Sequence, residues 1–133
     1  MDAVCGLFWM DLWDDLLQDK YKIDFEEHTI DTADGERLHA WLLIQREDSN
    51  KKPTLLYFHG NAGNMGFRLT NAIEMFRNSM NVLMVDYRGY GASTGTPTEK
   101  GLNLDADVRV QVYVNNVSYR GDFVLIAFWS PCV

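Results

Sequence analysis

The sequence is poor in the residues on which several protein classes depend. It holds two cysteines and three prolines in 133 residues, and 19 acidic side chains face 12 basic ones, which gives a formal net charge of −7. Cys5 and Cys132 stand near opposite ends without zinc-like spacing, which favours two unpaired thiols in a reducing compartment. Binding to a phosphate backbone requires clustered positive charge, which is missing, so we expect no nucleic-acid partner.

A long uninterrupted apolar segment is also missing. Residues 1–17 are rich in Leu, Phe and Trp, but four aspartates interrupt them, whereas a membrane-spanning helix needs about 20 mostly apolar residues. Apolar side chains recur at a spacing of four, at Val4, Phe8, Leu12 and Leu16. This spacing predicts an amphipathic helix packed on the domain, and a membrane-surface helix is less favoured because its polar face is acidic. We expect a helical extension over residues 1–24, and a cytoplasmic or a membrane-associated location stays open.

Residues 25 to 45 have the pattern of a β-hairpin. Residues 25–31 and 37–45 are strand-like, and Ala-Asp-Gly at 33–35 between them is a turn signal. A polar loop at 48–53 follows and ends in a proline, which a central strand does not tolerate. We therefore expect two antiparallel strands at the start of the folded domain.

Two short apolar runs, at 54–58 and 81–85, predict strands that are buried on both faces. Helices on both sides of a parallel sheet bury its strands in this way. Apolar residues between 69 and 76 repeat at helical spacing. Strand, helix, strand in this order implies a crossover in a parallel sheet, so the predicted fold class is α/β, with an N-terminal hairpin, a mostly parallel sheet and crossover helices.

The last third of the chain predicts one more helix and one more strand. Thr96, Pro97 and Glu99 have the order of a capping box with a proline at the first helical position, which predicts a helix over 97–114. Residues 108–114 also alternate at period two, which favours a strand, and the cap decides for the helix. Residues 123–128 predict the last strand.

The segment His-Gly-Asn-Ala-Gly-Asn at 59–64 is the most informative for chemistry. A buried strand ending in His-Gly, then a small-residue loop and a helix, is how α/β-hydrolases build half of their oxyanion hole. The hole needs a backbone N–H aimed at the developing negative oxygen. Gly60, Asn61 and Ala62 are therefore the predicted substrate-binding loop, with the Asn61 N–H as donor. The alternative is a tight strand-to-helix turn without chemistry.

Three segments together resemble one family: residues 59–64, Val-Asp-Tyr-Arg-Gly-Tyr-Gly at 85–91, and Gly-Leu-Asn-Leu-Asp at 101–105. Over about residues 27–107, they resemble the alpha/beta hydrolase domain-containing protein 13 group, which includes fungal bud-emergence-type hydrolases and is often labelled with the serine aminopeptidase family. Many such proteins carry an N-terminal membrane anchor, so membrane association stays open.

The resemblance implies an activity and a domain boundary. The implied reaction is hydrolysis of a small-molecule ester, thioester or amide through a serine acyl-enzyme. It also implies that residues 25–133 are the N-terminal half of an α/β-hydrolase domain, truncated near the nucleophile elbow. We expect the chain to be inactive by itself. The alternatives are a non-catalytic binding or regulatory fragment and an incomplete gene product.

Two serines were candidates for a nucleophile by their surroundings, and neither fits. Residues 91–95 match Gly-x-Ser-x-Gly, but an elbow needs a buried strand directly before it and a helix opening at the serine, so we do not expect Ser93 to be the nucleophile. Ser130 stands where a nucleophile could align, but Pro131 has no N–H to act as an oxyanion donor. No histidine follows His59. We therefore assign no catalytic residue.

The remaining polar and glycine residues of these loops are interpreted as loop-structuring: His59, Asp86, Arg88, Gly89 and Gly91. Asp86 and Arg88 are expected to form an ion pair that anchors the loop. A nucleotide site is not favoured, because neither Gly-x-Gly-x-x-Gly nor Gly-Lys-Ser/Thr is present. We expect neither a cofactor nor a metal.

Overall fold

A computed structural model describes residues 16–59, 65–107 and 123–127. Its strands are β1 (Phe25–Asp31), β2 (Arg37–Leu43), β3 (Thr54–Phe58), β4 (Asn81–Val85) and β5 (Phe123–Ala127). Its α-helices are α1 (Leu69–Arg77) and α2 (Glu99–Ala106). Short 3₁₀ turns lie at Ser49–Lys51 and Met65–Arg68, and a π-helical turn lies at Leu16–Lys20.

The five strands form one mixed sheet in the order β1-β2-β4-β3-β5. The β1–β2 hairpin is antiparallel and β2 is antiparallel to β4, whereas β3 is parallel to both β4 and β5. Phe58 lies opposite Val85 on one side and Ala127 on the other. The loops that follow these three strands therefore begin side by side at one edge of the sheet. The predicted α/β class and N-terminal hairpin are confirmed.

Apolar side chains cover both faces of the sheet, as the continuous hydrophobic runs of β3 and β4 predict. All five residues of each of these strands are buried. One face packs against α1 through Trp41, Leu43, Leu55, Tyr57, Val82 and Met84. The other face packs with Leu102 of α2 through Leu38, Ala40, Leu42, Leu56, Phe58, Leu83 and Val85. These two cores hold the strand ends, and the loops beyond them, in place.

The strand predictions at 25–31, 54–58 and 81–85 match the structure, whereas β2 ends at Leu43 and not at residue 45. Gln45 leaves the sheet because other partners take its polar groups. Its backbone N–H donates to the Asn81 side chain at 2.9 Å, and its side-chain amide donates to the carbonyls of Phe76 and Met80 at 2.6 and 2.9 Å.

The predicted start of the 97–114 helix is wrong by two residues. The helix begins at Glu99, and the cap is Thr98, whose hydroxyl accepts from the Gly101 N–H at 3.0 Å. Pro97 stays in the loop because it packs on Gly89, where an added Cβ would lie 2.5 Å from Pro97 Cδ. The helix ends at Ala106, and residues 108–114 lie outside the described residues.

The segment before the hairpin packs on the α1 side of the sheet. Leu17 and Ile23 are buried in the same core as Trp41, and the Ile23 N–H donates to the Leu17 carbonyl at 3.0 Å. The amphipathic helix predicted over residues 1–17 lies mostly outside the described residues, so the boundary at residue 24 stays a prediction. Within the part of the chain that the structure describes, no helix is long and apolar enough to span a bilayer.

Candidate functional site at the carboxyl ends of the parallel strands

Two buried polar side chains leave adjacent parallel strands at the same level. His59 follows β3 and Asp86 follows β4, and these residues are 1% and 2% exposed. His59 Nε2 lies 3.2 Å from Asp86 Oδ1. The pairing follows from the register, because Phe58 and Val85 are direct neighbours in the sheet. A buried carboxylate is costly unless it has polar partners, so this contact holds the starts of two loops together.

His39 on β2 extends this contact across the sheet. Its Nδ1 lies 3.9 Å from Asp86 Oδ2, and its Nε2 makes a short contact with the Glu27 carboxylate on β1. Burial lowers the pKa of His39, but the hydrogen bonds and charges of Asp86 and Glu27 more than offset this, so the pKa is raised above its ordinary value. We call Glu27, His39, Asp86 and His59 the polar row, since they lie on four neighbouring strands or strand ends.

Aromatic rings enclose the buried end of the polar row. The rings of Tyr87 and Tyr90 meet the His59 imidazole edge to face, with centroids 5.5 and 5.1 Å apart. Tyr87 also stacks on Phe58 at 4.8 Å. Burial, and then the charge of Asp105, raise the pKa of Tyr87 to about 12. Tyr87 is therefore uncharged at physiological pH and lines the site with a neutral ring.

Arg88 does not pair with Asp86, and the ion pair predicted between them is wrong. Its guanidinium forms two hydrogen bonds to Asp34 in the hairpin turn, at 2.7 and 2.9 Å. It also donates to Asp105 Oδ1 on α2 at 2.8 and 2.9 Å, and the Arg88 backbone N–H donates to Asp105 Oδ2. We call Asp34, Arg88 and Asp105 the Arg88 cluster. It joins the hairpin turn, the loop after β4 and α2.

Within the Arg88 cluster, Asp34 and Arg88 each stabilise the charged form of the other. The hydrogen bonds from Arg88, with one from the Thr32 hydroxyl, hold the pKa of Asp34 well below its usual range. The same bonds, first from Asp34 and then from Asp105, raise the pKa of Arg88 further. Asp105 is fully buried. An Asp–Arg–Asp arrangement of this kind anchors a loop, because the rigid guanidinium fork binds both carboxylates at once.

The Ser93 hydroxyl is occupied by the backbone. It accepts from the His39 N–H at 2.9 Å and donates to the Asp86 carbonyl at 2.8 Å. Ser93 lies in turns between β4 and α2, with no strand directly before it and no helix opening at it. The two structural requirements of a nucleophile elbow are thus missing at Gly-Ala-Ser-Thr-Gly. This supports the expectation that Ser93 is not the nucleophile.

Two glycines let the loop after β4 fold back on the hairpin. Gly89 and Gly91 have backbone φ angles of 76° and 52°, a region that residues other than glycine rarely adopt. The Gly89 N–H donates to the Thr94 carbonyl at 2.9 Å, and Thr94 exchanges hydrogen bonds with the backbone of Arg37. The loop is therefore fastened along β2, next to His39.

The predicted site residues have different outcomes. His59 and Asp86 are brought together, and Arg88, Gly89 and Gly91 lie in the loop that continues from Asp86. Gly60, Asn61, Ala62 and Ser130 lie outside the described residues, so the oxyanion role stays a prediction.

Four partners were missed by sequence reasoning: Glu27, His39, Asp34 and Asp105. A signal existed for Asp105, which stands three residues after Leu102 and so shares the buried face of α2. A carboxylate on an apolar helix face calls for a buried cation. For Glu27 and His39 no local signal was present, because their meeting depends on strand pairing.

No family model matches the chain. Protein bem46 of Schizosaccharomyces pombe is 42% identical over 93 residues, which are 69% of this chain and 31% of that protein. The alpha/beta hydrolase domain-containing protein WAV2 of Arabidopsis thaliana is 39% identical over 99 residues, 74% of this chain and 30% of that protein. The chain thus spans about a third of the length of these curated relatives.

A likeness in structure agrees with these matches. The Pyrococcus furiosus esterase Pf2001 superposes with a TM-score of 0.68 at 20% identity, over 84% of this chain and 44% of the esterase. At this identity the likeness shows the fold.

Proposed function

Because the chain belongs to the α/β-hydrolase superfamily over the segment that it shares with these relatives, we propose that it forms the N-terminal part of a serine hydrolase. The reaction is cleavage of an ester, thioester or amide bond in a small acyl substrate, through an acyl-enzyme. The contribution of this chain is the loop that stabilises the oxyanion, with the backbone N–H of Asn61 as donor.

The observation that carries the proposal is the arrangement of β3 and β5. β3 ends at Phe58, which lies opposite Ala127 at the end of β5, and the buried His59 follows directly before Gly60. An α/β-hydrolase builds its oxyanion hole from one N–H in the first of two such loops and one N–H after the nucleophile in the second. Neighbouring parallel strands give both loops a common starting point.

The histidines of this chain are the candidates for a general base, and their contacts indicate that the catalytic triad is incomplete. The sequence has three histidines, His28, His39 and His59. Both ring nitrogens of His39 face carboxylates, those of Glu27 and Asp86, so neither is left to take a proton from a serine. His59 faces Asp86 through Nε2 at the start of the loop after β3, where it orders that loop, and His28 pairs with Glu26 on β1. Since a serine nucleophile needs a histidine to take its proton, we propose that the 133 residues alone do not turn over substrate.

A first experiment tests this inactivity on the chain as it stands. The purified protein is treated with a fluorophosphonate probe and with p-nitrophenyl esters, beside Ser93→Ala and Ser130→Ala. We expect no labelling above background. Labelling that is lost in Ser93→Ala would contradict our interpretation of residues 91–95, and labelling lost in Ser130→Ala would show a working nucleophile after β5. A folded and unreactive chain leaves a binding or regulatory fragment as the alternative.

A second experiment tests the oxyanion donor in a chimera. Residues 25–107 of this chain replace the matching residues of Protein bem46, and the rate of fluorophosphonate labelling is measured. Asn61→Pro removes the backbone N–H and is expected to slow labelling by about 10²–10³-fold. Asn61→Ala keeps the N–H and is the matched control, with little expected change. Equal rates in the two variants would rule out the Asn61 N–H as donor.

A further inference from the structure

The polar row runs perpendicular to the strands, from solvent to the entry of the predicted oxyanion loop. Its members follow the sheet order: Glu27 on β1, His39 on β2, Asp86 after β4 and His59 after β3. The side chain of Glu27 is 52% exposed, whereas those of His39, Asp86 and His59 are 8%, 3% and 0% exposed. Carboxylate and imidazole alternate along the row, so each interior member has a partner on both sides.

Asp86 is the branch point of the row. Its Oδ1 faces His59 Nε2 at 3.2 Å, and its Oδ2 faces His39 Nδ1 at 3.9 Å. A buried carboxylate is stabilised by positive charge close to its oxygens. A change in the charge of His39 therefore changes the balance of forces on the carboxylate that contacts His59.

The backbone keeps His39 and Asp86 at a constant separation. The Asp86 N–H donates to the His39 carbonyl at 3.0 Å, and the Ser93 hydroxyl bridges the His39 N–H and the Asp86 carbonyl. Three hydrogen bonds thus hold the backbones of His39 and Asp86 together.

Among the described residues, the titratable groups that face His39 are Glu27 on β1 and Asp86 after β4. Trp41 lies beside it on its own strand with ring centroids 5.9 Å apart, and Ser93 adds a neutral hydroxyl. These two carboxylates favour the imidazolium. The imidazolium has an N–H on each ring nitrogen, so it donates to Glu27 and also places positive charge 3.9 Å from Asp86 Oδ2.

We propose that Glu27 and His39 are positioning residues for the oxyanion loop, acting through Asp86 on His59, the residue that enters the loop. The proposal rests on the function proposed above for Asn61. Neither residue contacts the substrate. Glu27 holds His39 charged and oriented, His39 holds one oxygen of Asp86, and the other oxygen holds the His59 ring two residues before Asn61.

The test reads the row directly and does not depend on activity. Histidine labelled with ¹³C at Cε1 is incorporated into the 133-residue chain, and its three signals are assigned with single His→Gln variants. We expect the His59 signal to shift with pH in step with the titration of His39. In Glu27→Gln this inflection should move to lower pH, and in His39→Gln it should vanish.

The chain provides a matched control for both variants. His28 Nε2 lies 3.0 Å from Glu26 Oε2. These two residues flank Glu27 on β1, so their side chains point to the opposite face of the sheet from that of Glu27. Glu26→Gln and His28→Gln should leave the inflection of His59 where it is. If His39→Gln fails to fold by circular dichroism, Glu27→Gln still reports, because its side chain is half-exposed. A His59 signal that ignores both the titration of His39 and Glu27→Gln would overturn the proposal.

The chimera with Protein bem46 separates this proposal from the function on which it rests. Glu27→Gln should lower the rate of fluorophosphonate labelling by about tenfold, less than the roughly hundredfold that a full 1 Å misplacement costs, whereas Glu26→Gln should not. A labelled chimera that is indifferent to Glu27→Gln would overturn the positioning role alone. An unlabelled chimera whose row still couples His39 to His59 would speak against the serine-hydrolase function alone.

Discussion

Asp86 of the polar row and Arg88 of the Arg88 cluster lie two residues apart in the same loop, but their contacts differ in geometry and in charge. In the cluster, Arg88 makes hydrogen bonds of 2.7–2.9 Å to two carboxylates. In the row, Asp86 faces two imidazoles at 3.2 and 3.9 Å. In the cluster, the pKa of Asp34 is lowered and that of Arg88 is raised, so both keep their charge near neutral pH, whereas the row contains histidine, the residue type that ordinarily changes its charge in that range. The cluster joins the loop to the scaffold, and we propose that the row positions the loop after β3.

The residues that follow β4 thus belong to both the row and the cluster. The cluster points to the hairpin turn and α2, which are parts of the scaffold, and the row points to His59 and the predicted oxyanion loop. A bidentate guanidinium resists small displacements because its geometry is rigid. The longer contacts of Asp86 with His39 and His59 are less sensitive to small displacements. The stability of the loop and its fine positioning are thus assigned to separate residues.

Removing the guanidinium should have the largest effect on stability. Arg88→Met leaves the fully buried Asp105 carboxylate without its cation, and breaking a buried pair in this way costs about 3–5 kcal/mol of unfolding free energy. Urea denaturation followed by circular dichroism measures the loss. Arg46→Met is the control, because the Arg46–Asp24 pair is exposed, with side chains 65% and 62% accessible, and exposed pairs contribute little. Equal losses in the two variants would contradict the anchoring role.

Crowding the cluster without changing its charge should have a smaller effect. An added Cβ at Gly101 would lie 2.7 Å from Arg88 Cδ, Nε and Nη1, and overpacking of this kind costs about 1–3 kcal/mol. Alanine gains about 1 kcal/mol in helix propensity over glycine, so we expect a net loss of about 1 kcal/mol for Gly101→Ala. Asn103→Ala, at an exposed position of the same helix, should be neutral or stabilising. A stabilised Gly101→Ala would mean that the guanidinium has room to move.

The smallest expected effect is the pH dependence of the row. The folded pKa of His39 is raised, so its contribution to stability is fully present below the unfolded pKa of about 6.5 and is lost as pH rises through the higher folded pKa. The difference in unfolding free energy between wild type and Glu27→Gln should therefore be largest near pH 6 and shrink as the pH rises. Urea titrations across this range measure it. Glu26→Gln should show no such trend, and a difference that grows with pH would reverse the sign of our argument.

Much of the scaffold was predictable from local patterns. The apolar runs of β3 and β4, and the turn signal between β1 and β2, predicted β1, β3 and β4 at their observed residues and β2 at its observed start. The errors occurred where a distant contact overrides a local preference. Thr96 and Pro97 form a good helix start by themselves, but packing of Pro97 on Gly89 keeps them in the loop. Gln45 continues an apolar run, but its amide is taken by the end of α1.

The candidate site divides in the same way. The sequence itself determined the α/β class, the strand positions and the presence of His59 and Asp86 at strand ends, because periodicity and turn residues act over a few neighbours. Only the tertiary structure decided that Glu27 meets His39 and that Arg88 meets Asp34, 12 and 54 residues apart. These contacts follow from the strand order β1-β2-β4-β3, which results from packing summed over the whole sheet. A period-two pattern tells which face a side chain takes, and pairing alone tells which side chain lies beside it.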